Sequence, residues 1–213
     1  MKAGSIVIAA VVVAALGGAA YLVRGLQPSD RAIAEGTAFS AANNKMMSAM
    51  MGSAVVYSGN PDADFVMLMI PHHRGALDMA AVEAKYGTDP VIRALSQKIE
   101  GGQQPQIDQM TAWQQAHAGA AASADAAVIR TAFSAANDKM MTGMMGDSMA
   151  HSGNADLDFV KMMIPHHQGA IDMASVELKY GSDPDMKALA QAIIAAQTSE
   201  IAEMNDWLKA AKR

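Results

Sequence analysis

Apolar residues recur at the three- and four-residue spacing of α-helices along most of the chain, and the alternating runs typical of β-strands are few. Gly, Pro, Asn and Asp residues interrupt this pattern at short intervals, as they do in loops. Gly87 fits the end of one helix, and Pro90 fits the first position of the next. The pattern predicts three helices in the first half of the chain, from about 29 to 57, 62 to 86 and 90 to 117.

The whole pattern occurs twice, without an insertion. Phe39 returns as Phe133 and Trp113 returns as Trp207, each at an offset of 94 residues. Long helices with short loops between them indicate antiparallel neighbours, so we predict an all-α protein built from two three-helix units. The predicted units are residues 29–118 and 125–213, joined at 118–124. The sequence leaves open whether this joint is a linker or a continuing helix.

The N-terminal segment differs from both units. Residues 6–23 carry no charge, and Lys2 and Arg24 flank them. Eighteen such residues are enough to span a bilayer, and they also fit a signal peptide. We therefore predict that residues 1–28 are a signal peptide or a hydrophobic membrane-anchor helix. The protein would be exported to the periplasm or another extracytoplasmic space, and uncleaved it would be attached to the inner membrane. A net charge of −5 provides no basic surface for nucleic acid.

Methionine takes an unusual share of the apolar positions. The chain has 19 methionines, ten leucines and no cysteine, although leucine is normally among the commonest residues. Each unit carries a methionine cluster at positions i, i+1, i+4 and i+5, which covers about 140° of one helix face. The clusters are Met46, Met47, Met50 and Met51, and then Met140, Met141, Met144 and Met145. His151 returns to the same face as Met140 if that helix continues.

These methionine clusters have two interpretations. Methionine fills irregular gaps in protein cores, so a helical stripe of it is often core. Thioether sulfur is also a soft ligand that selects Cu(I), and by the same softness Ag(I). Four flexible side chains specify core packing weakly, and here they occur beside histidines in both units. The sequence therefore favours metal binding.

A proline followed by two histidines lies inside the second helix of each unit. His72 and His73 follow Pro71, and the same motif returns 94 residues later. Imidazole suits copper in both oxidation states, so Cu(II) binding is also expected. Polar residues hydrogen-bonded at a helix bend would be the structural alternative. The histidines share an arc of about 120° with two methionines in each unit. These candidate ligands are Met69, His72, His73 and Met79, and then Met163, His166, His167 and Met173.

The run Phe-x-x-x-Met-Ile-Pro-His-His-x-Gly-Ala-x-Asp-Met-Ala, after a Met-x-x-Met block, resembles the domain of unknown function 305 (DUF305) family. It occurs at 65–80 and again at 159–174. The resemblance implies exported, ferritin-like helical bundles, some of which bind copper and silver through Met and His and support copper resistance. Carried onto this chain, it implies one metal surface in each unit. Lys161 replaces Met67 and Gln168 replaces Arg74, so the two surfaces need not be equal.

Enzymatic chemistry is not expected. A di-iron oxidase of this architecture needs Glu-x-x-His motifs, and the sequence has none. The motifs of zinc and serine hydrolases are also missing. We predict a Cu(I)- and Ag(I)-binding protein that sequesters copper, confers resistance, or exchanges copper with a donor or acceptor protein. The alternative is a metal-free helical scaffold or a pH-responsive interaction module, with the histidines as switch residues.

Overall fold

The computed structural model describes residues 27–51, 55–145 and 151–211. Within those ranges the chain forms six α-helices and no β-strand, which confirms the predicted all-α class. The helices are α1 (Pro28–Met50), α2 (Pro61–Tyr86), α3 (Pro90–Ala116), α4 (Ala126–Met145), α5 (Ala155–Tyr180) and α6 (Pro184–Ala211). The hydrophobic segment predicted to be a signal or anchor lies outside the described residues. None of the six described helices has the length and apolar character that a membrane span requires.

The two histidine-bearing helices form the centre of the bundle. Helices α2 and α5 pack against each other, α1 and α3 flank α2, and α4 and α6 flank α5. We call α1–α3 the first half and α4–α6 the second half. One hydrophobic core runs through both halves. Four phenylalanines are fully buried in it, two from each half. Burial of such a side chain contributes about 1.5–3 kcal/mol, so the halves stabilise each other.

Capping side chains fix where the central helices begin. Asn60 accepts a hydrogen bond from the backbone N–H of Ala63 at 3.0 Å, and Asn154 accepts one from Leu157 at 3.0 Å. A cap of this kind is worth about 1 kcal/mol, because it satisfies a helix N–H that has no partner within the helix. The equivalent caps give α2 and α5 the same starting register.

Carboxylates at these helix starts also connect the two halves. Asp62 accepts hydrogen bonds from the backbone N–H groups of residues 182 and 183, at 3.0 and 2.9 Å. Asp156 does the same for residues 88 and 89, at 3.0 and 2.8 Å. Asp62 of the first half therefore holds the residues just before α6, and Asp156 of the second half holds those just before α3. Such reciprocity is what an isologous, two-fold interface produces.

Two tryptophans repeat this reciprocal arrangement. The indole N–H of Trp113, on α3, donates to Asp183 at 2.8 Å. The indole N–H of Trp207, on α6, donates to Asp89 at 3.1 Å. Each acceptor lies just before the last helix of the opposite half, so both ends of the bundle are joined by side chains.

The two helices that carry the methionine clusters, α1 and α4, are shorter than predicted. Helix α1 ends at Met50 and α4 ends at Met145, whereas the sequence pattern extended the first helix to about residue 57. A glycine lies shortly after each end, at positions 52 and 146, and glycine is a poor helix former that often follows a helix end. The premise that His151 continues the α4 face was therefore wrong.

Prolines and glycines within the remaining helices do not end them. Helix α2 continues through Pro71, α5 continues through Pro165, and α3 passes its two glycines and Pro105 without ending. Helix α3 ends at Ala116 and α4 begins at Ala126, so the joint between the units is a linker.

Candidate metal centre

Four histidines lie in a row where α2 and α5 meet. The rings of His72 and His166 face each other across this contact, with centroids 3.7 Å apart and planes tilted by 34°. His73 lies 6.2 Å from His72, and His167 lies 6.0 Å from His166, between ring centroids. All four side chains are fully buried. We call this set (His73, His72, His166 and His167) the histidine row.

Three imidazoles of the row each use one nitrogen, Nε2, in a hydrogen bond to an oxygen atom. These bonds join His166 to the backbone carbonyl of His72 (3.0 Å), His73 to Gln106 Oε1 (2.7 Å) and His167 to Glu200 Oε2 (2.9 Å). Gln106 lies on α3 and Glu200 lies on α6, so the outer helices orient the two ends of the row. Both residues were missed by the sequence analysis, because they lie 33 positions from their histidines.

The other imidazole nitrogens have no hydrogen-bond partner in the described part of the chain. This applies to both nitrogens of His72 and to Nδ1 of His73, His166 and His167. A buried polar atom without a partner costs about 1–3 kcal/mol, so native proteins contain few of them. Several such atoms concentrated at one place fit a centre that binds a ligand, and imidazole nitrogen is the commonest protein ligand of metal ions.

Burial also sets the charge of the row. Removal from water lowers the pKa of His73 to about 4. It lowers the pKa values of His72 and His166 well below the ordinary range, and the neighbouring imidazoles lower them further. These three histidines are therefore neutral at neutral pH, which is the form that donates a nitrogen lone pair to a metal.

Two glycines let the methionine clusters approach the row. A Cβ placed on Gly75 would lie 2.5 Å from Met46 Sδ. A Cβ on Gly169 would overlap the Met140 side chain and would lie 3.5 Å from His72 Nε2. Each glycine comes three residues after the first histidine of its pair. Only a residue without a side chain leaves room for the methionine at this position.

Comparison with known proteins settles the family at this point. The family described as "Domain of unknown function (DUF305)" matches residues 62–208, which span α2 to α6. The chain belongs to the DUF305 family. No functionally curated protein matches the sequence.

Solved structures support the same relationship. CopM in its Cu(I)-bound form is 31% identical to this DUF305 protein, with a TM-score of 0.54, covering 70% of this chain and 95% of CopM. CopM soaked with silver gives 30% identity and a TM-score of 0.54, over 70% and 94% of the two chains. A DUF305 fragment from Deinococcus radiodurans gives 28% identity and a TM-score of 0.50, over 70% and 95%.

The predicted methionine ligands of this DUF305 protein are mostly buried. Those of α2 and α5, which are Met69, Met79, Met163 and Met173, have no exposed surface. In the clusters, Met46, Met47, Met50, Met140, Met141 and Met144 are at most 9% exposed. Met51 and Met145 differ, at 48% and 63% exposed, because they lie at or beyond the ends of α1 and α4. Burial fits both a ligand and a core residue, so it does not by itself separate the two roles.

His151 lies apart from this centre. Its Nε2 is 2.8 Å from Ser40 Oγ, and its Nδ1 is 3.6 Å from Asp158 Oδ2. Tyr57 holds the equivalent position in the first half, at an offset of 94 residues. A tyrosine in the same place indicates a packing contact between loop and helix. The structure therefore does not join His151 to the histidine row.

Oxygen and nitrogen ligands alone do not complete a site. Among the described residues, no group of three or more histidine and carboxylate side chains is arranged to hold a metal ion. Asp78 and Asp172 are ion-paired at 2.7 Å with Lys45 and Lys139.

Two further acidic residues were missed because they look like ordinary helix-end glutamates. Glu83 and Glu177 are fully buried near the ends of α2 and α5. Burial, together with the adjacent carboxylates of Asp156 and Asp62, raises their pKa values to about 8 and about 9. Both are therefore mainly protonated at neutral pH. Their recurrence at an offset of 94 was the available signal.

Proposed function

We propose that this DUF305 protein binds Cu(I) and Ag(I) in the extracytoplasmic space, through histidine and methionine, and either sequesters copper or transfers it. One observation carries the proposal. Among the described residues, several buried imidazole nitrogens without a hydrogen-bond partner lie together, where methionines of α1 and α4 pack against α2 and α5. Neutral imidazole and thioether together form a ligand set for a soft cation.

The proposed ligands are the histidine row and the methionines that surround it. His72 and His166 lie at the centre of the row. The side chain of Met46 packs against α2 at Gly75, and the side chain of Met140 packs against α5 at Gly169. The buried methionines of α2 and α5 and of the two clusters complete the proposed set. Met51 and Met145 are exposed, so we assign them to the first contact with an incoming ion or with a copper-exchanging protein.

CopM supports this choice of metal ions. Its solved forms contain Cu(I), Cu(II) or silver, and about 30% of its residues are identical to this chain in the matched region. Imidazole accepts both oxidation states of copper, whereas thioether prefers Cu(I). We therefore propose Cu(I) as the main cargo, Cu(II) as a second form and Ag(I) as a surrogate. An extracytoplasmic setting is supported by the apolar residues 6–23 and by a cysteine-free chain.

An anaerobic Cu(I) titration tests the proposal. The full chain, in mild detergent, would compete for Cu(I) with a chromophoric chelator, beside a variant carrying His72→Leu and His166→Leu. His117→Leu is the matched control, because His117 is exposed. We expect the parent and the control to compete equally and the double variant to lose at least tenfold in affinity.

Thermal unfolding provides a second measurement that needs no variant. A ligand that binds only the folded chain raises Tm, and the stabilisation grows with the logarithm of ligand concentration relative to Kd. We expect Ag(I) to raise the Tm of the parent and Mg²⁺ to leave it unchanged. If neither Cu(I) competition nor an Ag(I)-dependent rise occurs, the methionines are core residues, and the scaffold or pH-responsive interpretation replaces this one.

A further inference from the structure

The hydrogen bonds of the histidine row determine which nitrogen of each ring carries its proton. The backbone carbonyl of His72 can only accept, so His166 carries its hydrogen on Nε2. Oε2 of Glu200 faces Nε2 of His167 at 2.9 Å, and as the acceptor of that bond it places the hydrogen of His167 on Nε2. The oxygen of the Gln106 amide faces Nε2 of His73 and has the same effect. In all three rings the free lone pair is therefore on Nδ1.

The two ends of the row nevertheless differ in charge. Gln106 and Glu200 occupy equivalent positions 94 residues apart, and each bonds the second histidine of its half. Gln106 is neutral and half-buried, whereas Glu200 carries a carboxylate and is 5% exposed. The partner of His73 is therefore an amide, and the partner of His167 is a carboxyl group.

A carboxylate behind an imidazole strengthens it as a ligand. The bond fixes the ring orientation and pushes electron density toward the far nitrogen, and removal of such a partner typically costs 10–100-fold in metal affinity. An amide oxygen fixes the orientation but supplies less charge. The same geometry with two different partners should therefore give two ends of different strength.

We propose that His73, His166 and His167 bind copper through Nδ1, and that Glu200 makes the His167 end of the row the stronger one. This inference rests on the proposed copper-binding function. Glu200 and Gln106 act as positioning residues, because they bond the opposite nitrogen and do not themselves contact the metal. The pair Gln106/Glu200 would thus set the order in which the ends fill.

Exchange of the two residues tests the inference with internal controls. We expect E200Q to weaken Cu(I) competition by about 10–100-fold and Q106E to strengthen it. The double variant Q106E/E200Q should restore the affinity of the parent, because it moves the carboxylate to the other end. A purely structural role for Glu200 would give no gain in Q106E, so that result would overturn the proposal.

The donor atoms have a readout that does not depend on affinity. In two-bond ¹H–¹⁵N spectra of the metal-free full chain, we expect Nε2-protonated signals for His73, His166 and His167. Addition of Ag(I), which is diamagnetic, should shift Nδ1 of these rings. Nδ1-protonated rings, or shifts confined to Nε2, would overturn the assignment. If the parent fails to bind Cu(I) or Ag(I) at all, the proposed function itself fails, whereas binding that ignores E200Q overturns only this inference.

Discussion

Two buried aspartates at the ends of this bundle and one buried histidine at its centre have opposite surroundings. At the ends, Asp62 and Asp156 each accept several hydrogen bonds from the residues just before a helix of the opposite half. At the centre, neither nitrogen of the fully buried His72 has a partner among the described residues. Paired polar groups stabilise a fold, whereas unpaired ones destabilise it. The aspartate contacts at the ends hold the two halves in register. We infer that the unpartnered histidine at the centre lowers the stability of the metal-free fold and leaves its nitrogens free to bind a metal ion.

The largest expected effect comes from breaking one of the end contacts. Asp62→Ala removes the acceptor for the backbone N–H groups of Ser182 and Asp183, just before α6, and for the Ser182 hydroxyl at 2.9 Å. We expect the free energy of unfolding to fall by about 2–4 kcal/mol, because these bonds involve a charged, buried acceptor. Urea denaturation measures it. Asp30→Ala is the control, since Asp30 is exposed in the first turn of α1. Equal effects of both substitutions would contradict the assigned role.

Replacing a central histidine should shift stability in the opposite direction. His72→Leu removes two unpartnered nitrogens and keeps a similar volume, while the backbone carbonyl that binds His166 remains. We expect the metal-free chain to gain about 1–3 kcal/mol in unfolding free energy and to lose Cu(I) affinity. A loss of stability would mean that His72 is an ordinary structural residue, and the contrast between centre and ends would then fail.

A glycine substitution tests how closely the methionine and histidine are packed. Gly169→Ala forces a Cβ into the Met140 side chain beside His72. We expect a loss of about 1–3 kcal/mol from overpacking, together with weaker Cu(I) binding. Gly101→Ala is the matched control, because no atom lies within 4 Å of the added Cβ. That control should gain about 0.5–1 kcal/mol from helix propensity, measured by the same denaturation.

The smallest expected effect is a dependence of stability on pH from the helix-end glutamates. The pKa of Glu177 is about 9 in the folded chain, above its ordinary 4.5. Between these values the folded chain holds a proton that the unfolded chain has released, so stability falls as pH rises. We expect a slope of about 1 kcal/mol per pH unit from this group between pH 6 and 8. Glu177→Gln should remove that slope, and Glu100→Gln, at an exposed site, should leave it unchanged.

The sequence contained enough information for the helices and for the identity of the central histidines. The spacing of apolar residues and the helix-ending glycines locate α2, α3, α5 and α6 closely. His72 and His73 are adjacent in the chain, so their pairing needs no tertiary information. The ends of α1 and α4 were placed too late, because the apolar spacing was extended past the glycines at 52 and 146.

Contacts between helices were not predictable in the same way. The stacking of His72 on His166 depends on the packing of the two halves, which a periodic pattern does not specify. Gln106 and Glu200 are polar residues on other helices, and nothing local distinguishes them from surface side chains. Their meaning appears only when α3 and α6 are placed beside the row. For His151 the error was the opposite one. Its spacing from Met140 would place both residues on one face of a continuous helix, but α4 ends at Met145, before His151.

X-ray absorption at the copper edge of the Cu(I)-loaded full chain tests the central claim most directly. A copper ion held at the histidine row should show both nitrogen and sulfur neighbours, and the nitrogen contribution should decrease in the variant with His72→Leu and His166→Leu. Sulfur neighbours alone in the parent would place the ion in the methionine clusters without the histidines. That result, or a nitrogen contribution unchanged in the variant, would contradict this account.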